Sequence, residues 1–520
     1  MKSEFDVAII GGGLAGMTLA MQLNREVPDL SIAVLERNGL PPAIAAHKVG
    51  ESTVEIGAHY LSQKLELKGL LERTQLRKFG LRFFFGSGQH DDLSAADELG
   101  ASRVLPVISY QIDRGRLEGD LASMLEERSI HILDNCVVKD VVVGSKHGTH
   151  QLGVVHADKA VSIRCRWLID AASRAALLKR KLGTGRRCQH RMAAAWFRLD
   201  SAVAIDHWSS STSWQNRCNL PRRLSTNHLM GSGYWVWIIP LANDRTSIGV
   251  VADPELVPLS SFNSFDKFGN WLSEAQPRLA DAVSDLRGTL MDFHFSKNLS
   301  QDSRRVWSAD RWALTGESGV FADPFYSPGS DFIGIGNTFI ADLIRRDRAG
   351  MDFSVHAAAY EQMYQSFFTS TMTLYEHQYP GFGDTRLMVV KTTWDYAYYW
   401  SVLSWLCFRE ILTDIEFLRS IQPRLLEIRA MNERMQARFR ARAAERRSSE
   451  GQGRFFDQVE IPVLYRLNAA LLDSQPDPRG EFDENCATLE SLSPALIAVL
   501  EGDGGTASCS LLGDLRTRLN

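Results

Sequence analysis

Apolar positions along the chain fall into two regimes. Up to about residue 350, short β-prone runs alternate with polar turns, and from about Ser354 onward the apolar residues recur at helical spacing. Residues 5–10 (FDVAII) form a β-prone run, 17–24 are helix-prone, and 31–36 (SIAVLE) are β-prone again, which predicts a βαβ unit with a short crossover. Residues 130–143 are strand-rich, and 161–170 alternate before ending in the apolar run Trp167, Leu168, Ile169. Between about 192 and 253, aromatic and β-branched runs separated by turn residues predict an antiparallel sheet able to carry a substrate site. A further strand at 312–315 leads into a loop rich in Gly, Pro and Ser and then a helix. In the last third, 394–418 and 424–447 are the clearest helices and 448–453 reads as a linker. The arginines that close the second of these helices read as a solvated face at its C-terminus.

This order predicts an α/β fold in which a doubly wound, Rossmann-like domain is interleaved with an antiparallel substrate-binding sheet and followed by a C-terminal helical region. The boundaries it suggests are 1–190 with 300–350 for the nucleotide domain, 191–299 for the substrate sheet, and 351–520 for a helical lid or docking region.

Composition narrows the function. The chain has 520 residues, 44% hydrophobic and 23% charged, the balance of a globular protein. Its net charge of −4 argues against nucleic acid as a partner. Seven cysteines, an odd number with no C-x-x-C, argue against a disulfide framework or zinc site and for a reducing cytoplasm. The apolar run at 7–23 carries a glycine cluster and no cleavage site, so it does not read as a signal peptide. The run at 394–408 contains Asp395 and is too short to span a bilayer. Histidines 47, 294 and 377 are scattered without metal-ligand spacing, and no metal is expected.

Gly11, Gly13 and Gly16 satisfy G-x-G-x-x-G between a strand and a helix. The first permits a tight turn, the second a close approach of backbone to a pyrophosphate, and the third close packing of helix on strand. Glu36 stands 20 residues after Gly16, at the end of the second strand, where a carboxylate accepts from a ribose hydroxyl; the adjacent Arg37 is a second candidate cofactor contact.

Two later segments point to FAD by resemblance. Residues 168–174 (LIDAASR), with Asp170, and 315–324 (TGESGVFADP), with Asp323, resemble the strand-end and late FAD motifs of FAD-dependent aromatic hydroxylases. In that late motif an Asp contacts the ribityl chain. Arg114 in YQIDR matches an arginine near the flavin in the same enzymes, although a plain salt bridge explains it equally well. No second glycine fingerprint is visible, so a separate flavin reductase is expected to supply reduced FAD.

A narrower resemblance follows. Residues 235–240 fit W-x-W-x-I-P, residues 47–52 (HKVGES) match a G-E-S element with Glu51 and Ser52, and residues 77–80 (RKFG) match a lysine-bearing segment. Together these resemble the flavin-dependent halogenases over residues 7–342. The resemblance implies that reduced FAD and O2 convert chloride or bromide to hypohalous acid, which reaches Lys78 beside an electron-rich aromatic or carrier-tethered substrate. It implies that Trp235 and Trp237 wall off the flavin; at i and i+2 they also fit ordinary packing on one strand face.

The late loop departs from the pattern. Tyr326 stands where tryptophan-type halogenases have a glutamate base, which points away from free tryptophan as substrate. Tyr326 and Ser327 remain the catalytic candidates of this loop, and Pro328 and Gly329 its cofactor-side candidates. Pro328 has no N–H, so one donor of a halide site on this loop is missing. That keeps open a halogenase-like monooxygenase or oxidase that hydroxylates, dehydrogenates or oxidatively decarboxylates without halide, and more remotely a flavin-binding protein without turnover. Tyr396, Tyr398, Tyr399, Trp400 and Trp405 read better as helical core than as pocket wall.

Overall fold

Two eight-stranded sheets carry the fold in the computed structural model, which describes residues 2–42, 48–145, 148–473 and 476–502. In the first, Glu4–Ile10 lies between Ile32–Leu35 and Lys159–Asp170, and all three run parallel. His131–Leu133 and Trp312–Leu314 extend the parallel set on either side. The central run Val7, Ala8, Ile9 is fully buried, as expected of a strand covered on both faces. The helix Leu14–Glu26 follows the glycine loop directly and buries Met17, Leu19, Ala20 and Leu23. This is the Rossmann-like α/β domain that the sequence pattern predicts.

The second sheet is mostly antiparallel, in the order Leu290–Ser296, Ala193–Leu199, Arg245–Ala252, Tyr234–Leu241, Thr226–Gly231, Leu81–Phe85, Asp97–Gly100, Phe455–Asp457. It therefore reaches beyond residues 191–299, taking strands from 81–100 and from the C-terminal third. Alternate residues of its strands serve two cores. Trp235, Trp237, Phe83 and Phe85 face the core shared with the first domain and the C-terminal helices. Val236, Ile238, Val250 and Phe84 face a smaller core, closed by the helices Phe265–Ala275 and Pro277–Asp285.

The strand Asp97–Gly100 is pinned from below. Glu98 is fully buried and ion-paired to Arg82 and Arg222, with Arg222 Nε at 2.8 Å and its guanidinium 3.7 Å over the Trp214 ring. Removing the carboxylate leaves two buried cations facing each other. Glu98→Gln is expected to destabilise the protein by about 3 kcal/mol or more, read as a lowered denaturant midpoint.

The C-terminal third departs from its sequence pattern in three places. The first expected helix ends in a π-helical turn, Trp400–Ser404, and a short segment, Trp405–Phe408. The second begins at Ile415, capped by the Asp414 side chain on the Phe417 amide, and runs through Pro423 to Ala443. Pro423 reads locally as a break, yet Ile421 and Ile428 on either side are buried and hold the helix across it. The arginines at its end are not merely solvated: Arg438 pairs with Glu501 and Arg442 with Asp384. The supposed linker leads into Phe455–Asp457, which pairs parallel with Asp97–Gly100. Among the described residues, no helix is long and apolar enough to cross a membrane.

Candidate functional site

The glycine loop turns on Gly11, at φ +110°. A Cβ there would stand 2.4 Å from the Ala171 carbonyl oxygen, and one on Gly16 would stand 2.1 Å from the Gly11 carbonyl oxygen. A Cβ on Gly13 would meet nothing within 4 Å, so the backbone is bare where the helix begins. Glu36 accepts from the Gly12 amide at 2.8 Å and from Asn38, and Arg37 is exposed beside it. Buried Glu118 accepts from the Leu14 amide at 3.2 Å and holds both Lys48 and Arg114 next to that helix N-terminus. Arg114 also donates to the Val49 carbonyl at 2.8 Å. Two cations and a helix N-terminus around bare backbone fit the diphosphate of a dinucleotide. His47 lies outside the described residues.

The groove continues into a small pocket between Gly50, Glu51 and Ser52, the tryptophan strand, and Pro324, Ser327 and Gly329. Glu51 is buried and bound by Arg198 at 2.7 Å; burial pushes its carboxyl up against that pull. Ser52 hydrogen-bonds Thr226 at 2.9 Å. Both tryptophans face this pocket and are tied by their ring nitrogens, Trp235 Nε1 to Tyr379 Oη at 3.0 Å and Trp237 Nε1 to Ser247 Oγ at 3.2 Å. Gly249, opposite Trp237 in the register, makes room for it, because a Cβ there would lie 2.3 Å from the indole. Gly249→Ala is expected to tilt Trp237 into the pocket and weaken flavin binding roughly tenfold, about 1.4 kcal/mol, measurable by flavin fluorescence titration.

Beyond this wall lies a cavity of about 630 Å³. The partition between the two spaces is made of two short segments that border both: Ser52 and Ser327 line the small pocket, Val54 and Pro328 the large one. Lys78 sits at this partition, 3% exposed, on the cavity side. Its Nζ donates to the Thr53 carbonyl at 2.7 Å. Burial holds its pKa down to about 7, against the pull of Glu55 and Asp331. The amine can therefore both hold and release a proton near neutral pH.

In the late loop, Tyr326 and Ser327 take positive φ, +67° and +61°, a conformation that costs side-chain-bearing residues about 1–3 kcal/mol each. Packing holds it. Phe325 stacks on Phe382, and Tyr326 Oη donates to Asp395 at 3.1 Å. Burial and Asp395 push the Tyr326 phenol far above its ordinary range, so it stays neutral. Pro328 caps the helix Gly329–Arg348; its carbonyl accepts from the amides of Asp331 and Phe332. The first helical N–H groups, on Gly329 and Ser330, come next, and Gly329 lines the small pocket.

One expected cofactor contact is placed otherwise. The Asp323 carboxylate is 1% exposed and taken up by His190 at 2.6 Å, Tyr379 at 2.8 Å and the Phe325 amide at 2.9 Å. It anchors the late loop from below. Glu317, bound to Ser173 at 2.6 Å and half-buried, stands nearer the glycine loop, where a Cβ on neighbouring Gly316 would lie 2.9 Å from the Ala15 side chain. Asp170 turns its carboxylate inward to the Ala172 and Leu178 amides and to Ser318, so only its backbone borders the groove.

Three groups that the sequence did not single out also line the cavity: Glu55, Asp331 and Asp395. Tyr396, Tyr398, Tyr399 and Trp400 line it too, contrary to their reading as plain core, whereas Trp405 packs on Phe482. The helix Thr385–Tyr399 is buried without a break from Leu387 to Asp395, Lys391, Thr392, Thr393 and Asp395 included, so its sequence pattern marks no face for a pocket.

The match to known proteins follows the same geometry. Residues 9–74 match the NAD(P)-binding Rossmann-like domain family. A flavin-dependent halogenase of Dictyostelium discoideum is 24% identical over 442 residues, 77% of this chain and 70% of that protein. A 1H-pyrrole-2-carbonyl peptidyl-carrier-protein chlorinase of Pseudomonas fluorescens is 24% identical over 347 residues, 63% of this chain and 72% of that one. Among solved structures, halogenase PltM in complex with phloroglucinol and FAD superposes with a TM-score of 0.67 at 16% identity, over 95% of this chain and 96% of that one. The resemblance carried by the sequence motifs thus extends to curated relatives and to the fold.

Proposed function

We propose that this chain, whose relatives are flavin-dependent halogenases, is itself an FAD-dependent halogenase acting on an electron-rich aromatic substrate, free or carrier-tethered. The observation that carries the reading is the position of Lys78, buried in the partition between the small pocket behind the tryptophan strand and a separate cavity of about 630 Å³. Reduced FAD along the groove, delivered by a separate flavin reductase, supplies the electrons with which O2 oxidises chloride or bromide to hypohalous acid.

The chain's own residues then divide the work. The glycine loop, Lys48 and Arg114 bind the diphosphate, and Glu51 with Arg198 fixes the loop at the flavin ring. Trp235 and Trp237 close the pocket, so the organic substrate cannot approach the flavin. The amides of Gly329 and Ser330, at the N-terminus of the helix, hold the halide, which makes Pro328 a cap rather than a lost donor. Lys78 Nζ receives hypohalous acid on the cavity side, hydrogen-bonds its oxygen and directs the halogen to the ring.

A product assay tests this reading. Purified protein with FAD, a flavin reductase, NADH and O2 is given phenols, pyrroles and indoles in buffers with chloride, with bromide and with neither. Products heavier by the halogen supplied are expected. Equal turnover without halide would sink the reading.

A further inference from the structure

We propose that Glu55 and Asp331 form the acid–base pair that takes the hydroxyl proton of the substrate at the inner end of the large cavity, and that the substrate is therefore a phenol rather than a pyrrole or an indole. The proposal rests on the halogenating reading above and adds two residues and a substrate class to it.

The two carboxylates come from distant segments, the helix Glu55–His59 and the first turn of Gly329–Arg348, and line the same cavity as Lys78. Their partners are neutral donors. Asp331 accepts from the Gly57 amide at 2.8 Å and from Tyr399 Oη at 2.7 Å. Glu55 accepts from Asn468 Nδ2 at 3.2 Å. Among the described residues, no Lys, Arg or His forms an ion pair with either at 4 Å or less, unlike Glu51, Glu98 and Glu118. Neutral donors orient a carboxylate without locking it in its charged form, so such a group can accept a proton and return it.

The ionisable groups that face Asp331 are Lys78, Glu55, Tyr399, Tyr375 and Cys407; Tyr396 also faces Glu55. Burial pushes Asp331 up to about 7 and raises Glu55 as well. Tyr326 cannot substitute for them, because its hydroxyl is committed to Asp395 and Thr392.

With Lys78 taking the ring C–H proton, a carboxylate pair left to act on a second proton favours a phenol. A pyrrole or indole carbon attacks an electrophilic halogen without losing its N–H proton. A phenol becomes strongly nucleophilic on ionisation, and needs an acceptor within hydrogen-bond reach. The phenol proton passes to the carboxylate. A ring carbon bonds to the halogen of hypohalous acid held at Lys78 as the O–X bond breaks. The departing hydroxide takes a proton from the Lys78 ammonium and leaves as water. The ring C–H proton goes to the neutral lysine, and the carboxylic acid returns its proton to the phenolate oxygen. The sum is phenol plus hypohalous acid giving halophenol plus water, with the ring oxidised by two electrons and the halogen reduced by two.

The test uses the full chain with FAD, a flavin reductase, NADH, O2 and bromide. The substrates are a series of para-substituted phenols of graded acidity, their O-methyl ethers, a pyrrole and an indole. Phenols are expected to be brominated at least tenfold faster than their ethers and than the heterocycles. Glu55→Gln and Asp331→Asn should lower kcat about 100-fold on weakly acidic phenols, and the loss should shrink steadily toward phenols already ionised at the assay pH. Tyr399→Phe keeps both carboxylates but removes a donor to one, and should move the acid limb of the kcat profile to higher pH. It serves if the carboxylate variants do not fold. Equal rates for phenols and ethers, a preference for the heterocycles, an unshifted Tyr399→Phe profile, or a loss independent of phenol acidity would each overturn the proposal. Failure of the halogenating reading has a separate signature: the native protein would then not brominate a 1,3-diketone trap for hypohalous acid.

Discussion

Lys78→Met protein is expected to bind FAD as the native chain does and to form about a thousandfold less halogenated product. The lysine lies on the cavity side of the partition and donates to the Thr53 carbonyl in the wall segment. Methionine keeps its length and volume but has no proton to give and no lone pair of comparable basicity. The same variant should be more stable than the native chain. In the unfolded chain the lysine titrates near 10.4, whereas in the folded chain burial brings it to about 7. Between these values the unfolded state binds a proton that the folded state lacks, so native stability falls as pH drops from about 10 to about 7, by roughly 1.4 kcal/mol per pH unit. Below about 7 the penalty is constant. Methionine carries no such penalty, so the stability gap between variant and native protein should open across that window. Denaturant unfolding at pH 7 and pH 10, with product formation measured alongside, checks both halves. Full product formation by the variant would remove Lys78 from the mechanism, and a pH-independent gap would mean that the lysine is not held neutral.

Gly11→Ala is the second large effect. At φ +110° a residue other than glycine costs about 1–3 kcal/mol, and the new methyl would meet the Ala171 carbonyl oxygen at 2.4 Å. Neither side can yield cheaply. Gly11 donates its amide to the Leu35 carbonyl at 2.8 Å, and the Ala171 amide donates to Ile10 at 2.8 Å, so both strand ends are fixed by backbone bonds. The loop must shift where it meets the diphosphate. A loss of about 3 kcal/mol in FAD binding is expected, roughly 100-fold in Kd. Flavin fluorescence titration with a parallel melting curve separates loss of cofactor from global unfolding. Unchanged affinity would show that the diphosphate lies elsewhere.

The parts of the site that were legible in the sequence are those whose chemistry is local. The glycine loop with Glu36 sits in a short segment whose spacing states its own geometry, and the tryptophan pair and Lys78 sit in short motifs that carry the family resemblance. Fold class followed for the same reason, because strand periodicity and the βαβ order are read within tens of residues. The cavity was not legible. Glu55 and Asp331 come together from segments 276 positions apart, to judge from the Gly57–Asp331 bond separation of 274, and neither belongs to a recognisable pattern. The Asp323 carboxylate looked available because its partners His190 and Tyr379 lie 133 and 56 residues away. The aromatic helix Thr385–Tyr399 misled in the other direction. A helix buried on every side gives no amphipathic stripe, so pocket wall and core look alike.

The strand Phe455–Asp457 has a consequence for how the protein is made. The sheet it completes begins with Leu81–Phe85, and the Ser102 amide reaches Asp457 across 355 residues. During synthesis from the N-terminus, the glycine loop, Lys78 and the first strands of that sheet leave the ribosome long before the strand that covers their edge. The edge of Asp97–Gly100 is open through most of translation, a pairing template held in waiting. Asn468, which binds both Glu55 and the Val107 amide, arrives later still. A nascent or prematurely terminated chain therefore acquires its flavin-binding half first and its finished substrate chamber last.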